Sequence, residues 1–289
     1  MRLDFIIAGF SKCGTTALFS MLAKHESLFL PSRFKEPRFF NRENYEIYWN
    51  LYANLFYTAK ANTLIGEGSI SYSESEFALL SAKRIRKHFP KIKIIFIARD
   101  PVTRLESSYR EMHNSGSDWG IRCPGSIEKA LISMPNMLND TKYWEILTIY
   151  ESYFPKEQLL VIFQEELKQN PKMVLEHCCQ FLDISSQDLD TMLIKDKNQG
   201  EAKYYDTIEF REARQSIEFS RAVSKINVSV QNQFLPGLNM RQVFGKKGIN
   251  WSEGAKKQVV ESLGQQPFTF LSKYGKAPLL WNKYLQFID

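Results

Sequence analysis

Eight residues near the amino terminus decide the fold: Gly9-Phe10-Ser11-Lys12-Cys13-Gly14-Thr15-Thr16. They follow an apolar run at 4–8, whose lack of polar alternation is typical of a buried parallel strand. After them, apolar residues return at helical spacing, at Ala17, Leu18, Met21 and Leu22. A loop between strand and helix with two glycines, a lysine and two threonines can direct amide groups, a helix amino terminus and an ammonium at one anion. The sequence therefore predicts a phosphate-binding loop in an α/β fold.

Length and composition restrict the possible partners of the chain. Its 289 residues, 44% of them hydrophobic, suit one α/β domain over residues 1–289. The net charge of +6 favours an anionic partner, but no nucleic-acid-binding motif is present, so we expect no nucleic acid partner. No signal peptide and no apolar run of about 20 residues are visible. Four cysteines lack disulfide or zinc spacing, so we expect a cytoplasmic location and no metal: Cys13, Cys123, Cys178 and Cys179.

A second motif follows the apolar segment 92–98, which ends in Arg99-Asp100-Pro101. Asp100 is suited to cap the next helix and Pro101 to occupy its first turn. This places Arg99 at the carboxyl end of a parallel strand, where open α/β sheets bind their ligands. Ser107 lies about two turns into that helix. A guanidinium and a hydroxyl that converge on one phosphate are sound recognition chemistry.

The order of residues in both motifs resembles one enzyme family. A Walker A loop has its lysine directly before the hydroxyl residue, whereas Lys12 precedes the second glycine. This order resembles the 5′-phosphosulfate loop of the sulfotransferases that use 3′-phosphoadenosine 5′-phosphosulfate (PAPS), and the pattern Arg-Asp-Pro-x-x-Arg-x-x-Ser-x-Tyr matches that family's 3′-phosphate site. The resemblance implies a P-loop-like three-layer fold, a central parallel sheet flanked by helices, with Lys12 catalytic and no metal required. It assigns to the cofactor residues Ser11, Lys12, Cys13, Gly14, Thr15, Thr16, Arg99 and Ser107.

The segment Lys35-Glu36-Pro37-Arg38-Phe39-Phe40 resembles the K-E-x-x-F-F segment of heparan sulfate-type sulfotransferases. In that family the glutamate deprotonates the acceptor, which implies Glu36 as the general base. Arg38 and Asn41 stand where several of those glycan enzymes carry His and Asp, so the identity of the acceptor is open. A histidine base, as in the cytosolic small-molecule sulfotransferases, is the alternative, and the candidates are His25, His88, His113 and His177.

Two further segments resemble parts of the same family. Residues 64–72 resemble the G-E-x-[ST]-x-x-Y segment beside the acceptor, although Gly68 stands where many relatives have lysine. Residues 244–249 resemble the [KR]-K-G loop that closes over the cofactor, which implies that Lys246, Lys247 and Gly248 bind it. The residues expected at the acceptor are Lys35, Arg38, Glu67 and Tyr72.

These motifs predict the organisation and the function of the chain. We expect a PAPS-binding core at about 4–182, an acceptor-side helical region at about 185–240 that includes one helical pattern at 208–226, and a closing loop with terminal helices at about 241–289. The resemblance implies transfer of a sulfuryl group from PAPS to a hydroxyl, or to an amine, of a carbohydrate or glycolipid. A small molecule, a lipid or a peptide tyrosine stays open as the acceptor. The alternatives are a P-loop kinase and a nucleotide-binding protein without catalysis, and the sequence does not indicate the oligomeric state.

Overall fold

The computed structural model describes residues 1–115, 121–187, 189–193, 202–214, 216–245 and 248–288. Within this part of the chain, a five-stranded parallel sheet has the order β2-β3-β1-β4-β5. Helices flank the sheet, which confirms the predicted α/β class with a central parallel sheet. The strands are β1 (Phe5–Gly9), β2 (Leu28–Phe29), β3 (Leu64–Glu67), β4 (Lys93–Ala98) and β5 (Leu159–Phe163).

Helices precede, follow and connect the strands of the sheet along the described chain. Those of the core are α1 (Thr15–Leu22), α2 (Trp49–Asn54), α3 (Ala78–His88), α4 (Pro101–Ser115), α5 (Ile127–Ser133), α6 (Asn136–Asn139), α7 (Tyr143–Glu151), α8 (Gln164–Gln169) and α9 (Pro171–Leu182). The later ones are α10 (Leu189–Met192), α11 (Ile208–Ala213), α12 (Ile217–Ser224), α13 (Val228–Phe234), α14 (Glu253–Leu263), α15 (Gln266–Lys273) and α16 (Asn282–Ile288). No helix among the described residues is both long and apolar enough to cross a membrane.

The region at 185–240 differs from the helical organisation expected for it. It contains the strand β6 (Tyr204–Asp206), which pairs in antiparallel fashion with β7 (Arg241–Val243). The single helical pattern at 208–226 is divided into α11 and α12. The division has a local reason, because Arg214 forms an ion pair with Asp206 at the end of α11 and the Ser216 hydroxyl caps α12.

The core is centred on β1 and β4, which are almost entirely buried. Their carboxyl ends lie side by side, and the Phe10 amide donates to the Ile97 carbonyl at 2.9 Å. Gly9, the last residue of β1, allows close packing, because a Cβ there would lie 1.8 Å from the Ser73 hydroxyl oxygen. The loop after β1 and the arginine after β4 consequently meet at one edge of the sheet, as ligand sites do in open α/β folds.

Candidate active site

The loop between β1 and α1 contains backbone amide groups without a hydrogen-bond partner among the described residues. Lys12 and Gly14 have left-handed backbone angles, with φ of 66° and 102°, which turn the chain sharply into α1. No side chain caps the amino terminus of α1. The amides of Gly14, Thr15 and Thr16 donate no hydrogen bond to any described residue. These groups and the helix dipole are suited to bind an anion, and the phosphate site at this loop stays a prediction.

Two arginines hold this loop in place, one just before α4 and one within it. The Arg99 guanidinium donates to the Lys12 carbonyl at 3.1 Å and to the Thr103 hydroxyl at 2.9 Å. Arg104, only 2% exposed, donates to the Ser11 carbonyl at 3.2 Å. Arg104 also binds the Met137 carbonyl and the Thr141 hydroxyl. We did not predict a role for Arg104, although it is the second arginine of the Arg-Asp-Pro-x-x-Arg motif.

Ser107 lies on the face of α4 that is turned toward the loop. It follows Thr103 by four residues and precedes Glu111 by four, and residues at this spacing share one helix face. Thr103 binds Arg99 and Glu111 binds Lys12. The structure thus brings the predicted pair of Arg99 and Ser107 to the same side of the helix as the anion loop.

Lys12 forms an ion pair that sequence reasoning missed. Its Nζ lies 2.8 Å from Oε2 of Glu111, and Lys203 pairs with the same oxygen. Burial and the nearby Lys203 ammonium lower the pKa of Lys12. Burial alone would raise the pKa of Glu111, but Lys12 and Lys203 outweigh it and lower that pKa to about 2. No local pattern distinguishes Glu111 or Lys203, which are 92 positions apart.

Lys35 connects the anion loop to Glu36. The Lys35 ammonium donates to the hydroxyls of Thr15 and Thr16 at 3.2 and 3.1 Å, and to Oε1 of Glu36 at 3.0 Å. The other Glu36 oxygen lies 3.4 Å from the Arg38 guanidinium. Glu36 is 23% exposed, so its carboxylate is paired and also accessible. The predicted base therefore lies beside the anion loop.

Glu67 and Tyr72, predicted at the acceptor, are both fully buried. Glu67 accepts hydrogen bonds from the Tyr52, Tyr72 and Ser69 hydroxyls at 2.9, 2.8 and 2.6 Å. Burial raises the pKa of Glu67 to about 7. The Tyr72 hydroxyl in turn accepts from the Phe39 amide at 2.9 Å. This cluster supports the segment that carries Glu36, and contact with an acceptor stays a prediction.

The remaining predicted residues have varied surroundings. The Cys13 thiol is buried, where it donates to the Ser11 carbonyl at 3.5 Å and lies 3.5 Å from the Tyr143 hydroxyl, and burial raises its pKa to about 11. Gly248 is exposed, and Lys246 and Lys247 lie outside the described residues. In the part of the chain that the structure describes, no group of three or more His, Cys, Asp or Glu side chains could hold a metal ion.

The four histidines have other partners. His25 contacts the Ser185 carbonyl at 2.9 Å, and His88 contacts the Tyr45 hydroxyl at 2.8 Å. Burial lowers the pKa of His113 to about 3, and its ring packs edge to face on Tyr109. His177 is exposed on α9. None of the four has a contact with the loop at 9–16 among the described hydrogen bonds.

The fold, with the loop after β1 at the edge of a parallel sheet, is typical of group-transfer enzymes with a P-loop-like architecture. Within that class, the chain belongs to the sulfotransferase domain family, whose model matches residues 2–228. The family predicted from the two motifs is therefore confirmed.

Individual relatives agree with this membership. The chain is 30% identical over 203 residues to the bifunctional heparan sulfate N-deacetylase/N-sulfotransferase 3 of Mus musculus. The aligned region covers 63% of this chain and 22% of that protein. The chain thus matches about a fifth of that relative's length. A sulfotransferase structure from Alicyclobacillus acidocaldarius has a TM-score of 0.58 at 22% identity, covering 80% of this chain and 99% of that one. The sulfotransferase domain from the curacin biosynthetic pathway has a TM-score of 0.51 at 15% identity, with 96% and 99% covered. These two structures support the fold.

Proposed function

We propose that this protein transfers a sulfuryl group from PAPS to a hydroxyl or amine of a carbohydrate acceptor, with Glu36 as the general base. One observation carries the proposal: the Lys35 ammonium links Thr15 and Thr16 of the anion loop to Glu36 through contacts of 3.0 to 3.2 Å. Donor site and base thus belong to one hydrogen-bonded unit. The relative named as a heparan sulfate N-sulfotransferase supports a carbohydrate as the acceptor and an amine as the acceptor group.

The residues present fit the cofactor. The amides of Gly14, Thr15 and Thr16 would hold its 5′-phosphate, because they lack protein partners among the described residues. Arg99 and Ser107 would hold the 3′-phosphate that distinguishes PAPS from ATP. When bound, PAPS supplies an activated sulfuryl group.

The side chains of the site have distinct roles in the reaction. Glu36 accepts the proton of the acceptor group, directly or through one water. Lys12 neutralises the negative charge that develops on the leaving oxygen. Lys35 fixes Glu36 beside the loop, and the buried Glu67–Tyr72 cluster fixes the backbone of the segment that carries it. Positioning and charge stabilisation therefore account for the catalysis, as in phosphoryl transfer.

Calorimetric titration with 3′-phosphoadenosine 5′-phosphate (PAP), compared with ATP and Mg²⁺, tests the nucleotide site. We expect the wild type to prefer PAP, and we expect Arg99→Ala to lose most of that affinity. Arg221→Ala, an exposed arginine on α12, is the matched control and should bind like the wild type. A preference for ATP, or a PAP affinity that does not depend on Arg99, would favour the kinase alternative.

Turnover of labelled PAPS with an acceptor panel tests the acceptor. The panel compares N-deacetylated and N-acetylated heparan sulfate, a glycolipid and a phenolic peptide. Label on either polysaccharide supports the proposal. Label on the N-deacetylated but not on the N-acetylated heparan sulfate identifies the amine as the acceptor. Label on the peptide alone would contradict a carbohydrate acceptor, and absence of turnover with every acceptor would favour a binding protein without catalysis.

A further inference from the structure

The catalytic lysine of the proposed reaction is held by an acidic residue. Lys12 Nζ lies 2.8 Å from Oε2 of Glu111, in the third turn of α4. Lys203, directly before β6, pairs with the same oxygen. All three side chains are at most 23% exposed. Water and salt therefore screen this cluster less than they screen a surface ion pair.

The backbones of the two lysines are held by different partners. The Lys203 carbonyl accepts the Phe244 amide at 2.8 Å, and the next amide, of Tyr204, donates to the Asn114 side chain on α4 at 3.2 Å. Lys203 is thus attached to the helix that carries Glu111. Lys12 belongs to the anion loop, and Arg99 holds its carbonyl at 3.1 Å. Lys12 can therefore leave Glu111 by a change of side-chain rotamer, while its backbone stays in place.

We propose that Glu111 is a positioning residue that holds Lys12 in an ion pair until PAPS binds. Lys12 then leaves the Glu111 carboxylate, and Lys203 stays paired with it. The proposal rests on the proposed function, because the group toward which Lys12 turns is the phosphosulfate. A half-buried carboxylate without a partner would be costly, and it would repel the incoming anion. Lys203 removes this cost, since it stays paired with Glu111 after Lys12 has left. This accounts for two ammonium groups on one carboxylate oxygen.

A double-mutant cycle with Glu111→Gln and Lys203→Met tests whether Glu111 exchanges Lys12 for Lys203 as its ion-pair partner. We expect Glu111→Gln to lower the Kd for PAP by about threefold to tenfold, the range of a partly buried ion pair. The KM for PAPS should fall likewise, with kcat changed by less than about twofold, because ground state and transition state gain equally. Lys203→Met should weaken PAP binding in the wild type and have no effect in the Glu111→Gln background.

The control is Glu151→Gln, which breaks the ion pair with Lys273 outside the site and should leave PAP binding unchanged. Unfolding midpoints verify that each variant is folded, and Lys203→Met tests the same contact from the opposite side. An unchanged Kd in Glu111→Gln, while wild-type binding still requires Arg99, would overturn this inference and leave the proposed function standing. Equal weakening by Lys203→Met in both backgrounds would assign Lys203 to the nucleotide and also overturn it. A wild type that does not bind PAP would overturn the proposed function and this inference together.

Discussion

Glu67 combines complete burial with three hydrogen-bond donors. Its oxygens accept from Tyr52, Tyr72 and Ser69, and burial raises its pKa to about 7 from the ordinary value of 4.5. The folded protein therefore binds a proton at this residue between these two pH values, where the unfolded chain has already lost it. Glu67 links pH to stability in the core that supports Glu36.

The first prediction concerns the pH dependence of stability. Because the folded-state pKa is raised, the free energy of unfolding should fall as pH rises from about 4.5 to about 7, by on the order of 3 kcal/mol at about 1.4 kcal/mol per unit, and then level off. Glu67→Gln should lack this component. Denaturant unfolding of both proteins between pH 4.5 and 8.5 measures the difference. A constant difference across this range would mean that Glu67 does not titrate there.

The second prediction concerns Glu36 as the base. Glu36→Gln should keep the Kd for PAP within about twofold and lower sulfuryl transfer by about 100-fold or more, since an amide cannot accept the acceptor proton. PAP titration and turnover of labelled PAPS provide the two measurements. Glu43→Gln, an exposed change in the same region of sequence, should retain activity. Full transfer by Glu36→Gln would reopen the choice among the histidines.

The third prediction concerns the charge of Lys12. Burial and Lys203 lower the pKa of Lys12, and only its protonated form attracts the nucleotide phosphates. PAP affinity should therefore decline on the alkaline side at a lower pH than an ordinary lysine would allow. Glu111 raises the pKa of Lys12, so Glu111→Gln should move this decline to lower pH still. Titrations with PAP between pH 7 and 10 measure the shift. In Lys12→Met, the decline of PAP affinity that is due to Lys12 should be absent.

At the scale of single elements, α4 organises the site along its whole length. Its amino-terminal turn follows Arg99 and carries Arg104, its middle carries Ser107, and its third turn carries Glu111. Asp100 joins this helix to the end of the chain, because Oδ1 accepts the Thr103 amide at 3.0 Å and Oδ2 accepts the Lys283 and Tyr284 amides. One carboxylate thus caps both α4 and α16.

The fourth prediction tests this double cap. Asp100→Ala should lower the free energy of unfolding by about 2 kcal/mol, because two helices each lose a cap that contributes about 1 kcal/mol. Ser126→Ala, which removes the single cap of α5, should cost about 1 kcal/mol. The loss for Asp100→Asn should lie between the losses for Asp100→Ala and Ser126→Ala, since asparagine keeps one acceptor oxygen. Equal losses for Asp100→Ala and Ser126→Ala would contradict a role of Asp100 in capping α16.

At the scale of the whole molecule, the β6–β7 ribbon is joined to α4 by several contacts, among them those of the buried Arg241. The Arg241 guanidinium donates to the His113 carbonyl at 2.6 Å, at the carboxyl end of α4. It also pairs with Asp206 at 3.0 Å and binds the Asn232 side chain. The ribbon places Lys203 beside Glu111 and leads directly into residues 244–249. Arg241, the Tyr204 amide and Lys203 therefore connect this ribbon to α4 and, through Glu111, to Lys12.

The fifth prediction concerns the independence of this region. Arg241→Met should increase amide hydrogen exchange across 204–243 and leave the protection of β1 and β4 unchanged, because the sheet has its own core. Hydrogen exchange followed by mass spectrometry measures both regions in one sample. Val243→Thr, an exposed change on the same strand, is the control. Equal loss of protection in the sheet would mean that ribbon and core unfold as one unit.

The sequence by itself determined the strand, loop and helix at 5–22 and the placement of Arg99 after β4. These features are visible because apolar runs, glycines and capping residues act on their immediate neighbours. The resemblance of residues 35–40 to a family segment singled out Glu36, which lies beside this loop, and its role as the base stays a prediction. The ribbon at 204–243 was missed, since its two short strands pair across about 35 residues of sequence.

Only the tertiary structure decided which side chains are partners. Lys12 and Glu111 are 99 positions apart, and their contact depends on α4 passing over the loop after β1. The same holds for Lys203, for Arg104 on the Ser11 carbonyl, and for the burial that raises the pKa of Glu67. An ion pair or a desolvated carboxylate is defined by distance and burial in space. Neither quantity exists along the chain until the sheet order has brought its distant segments together.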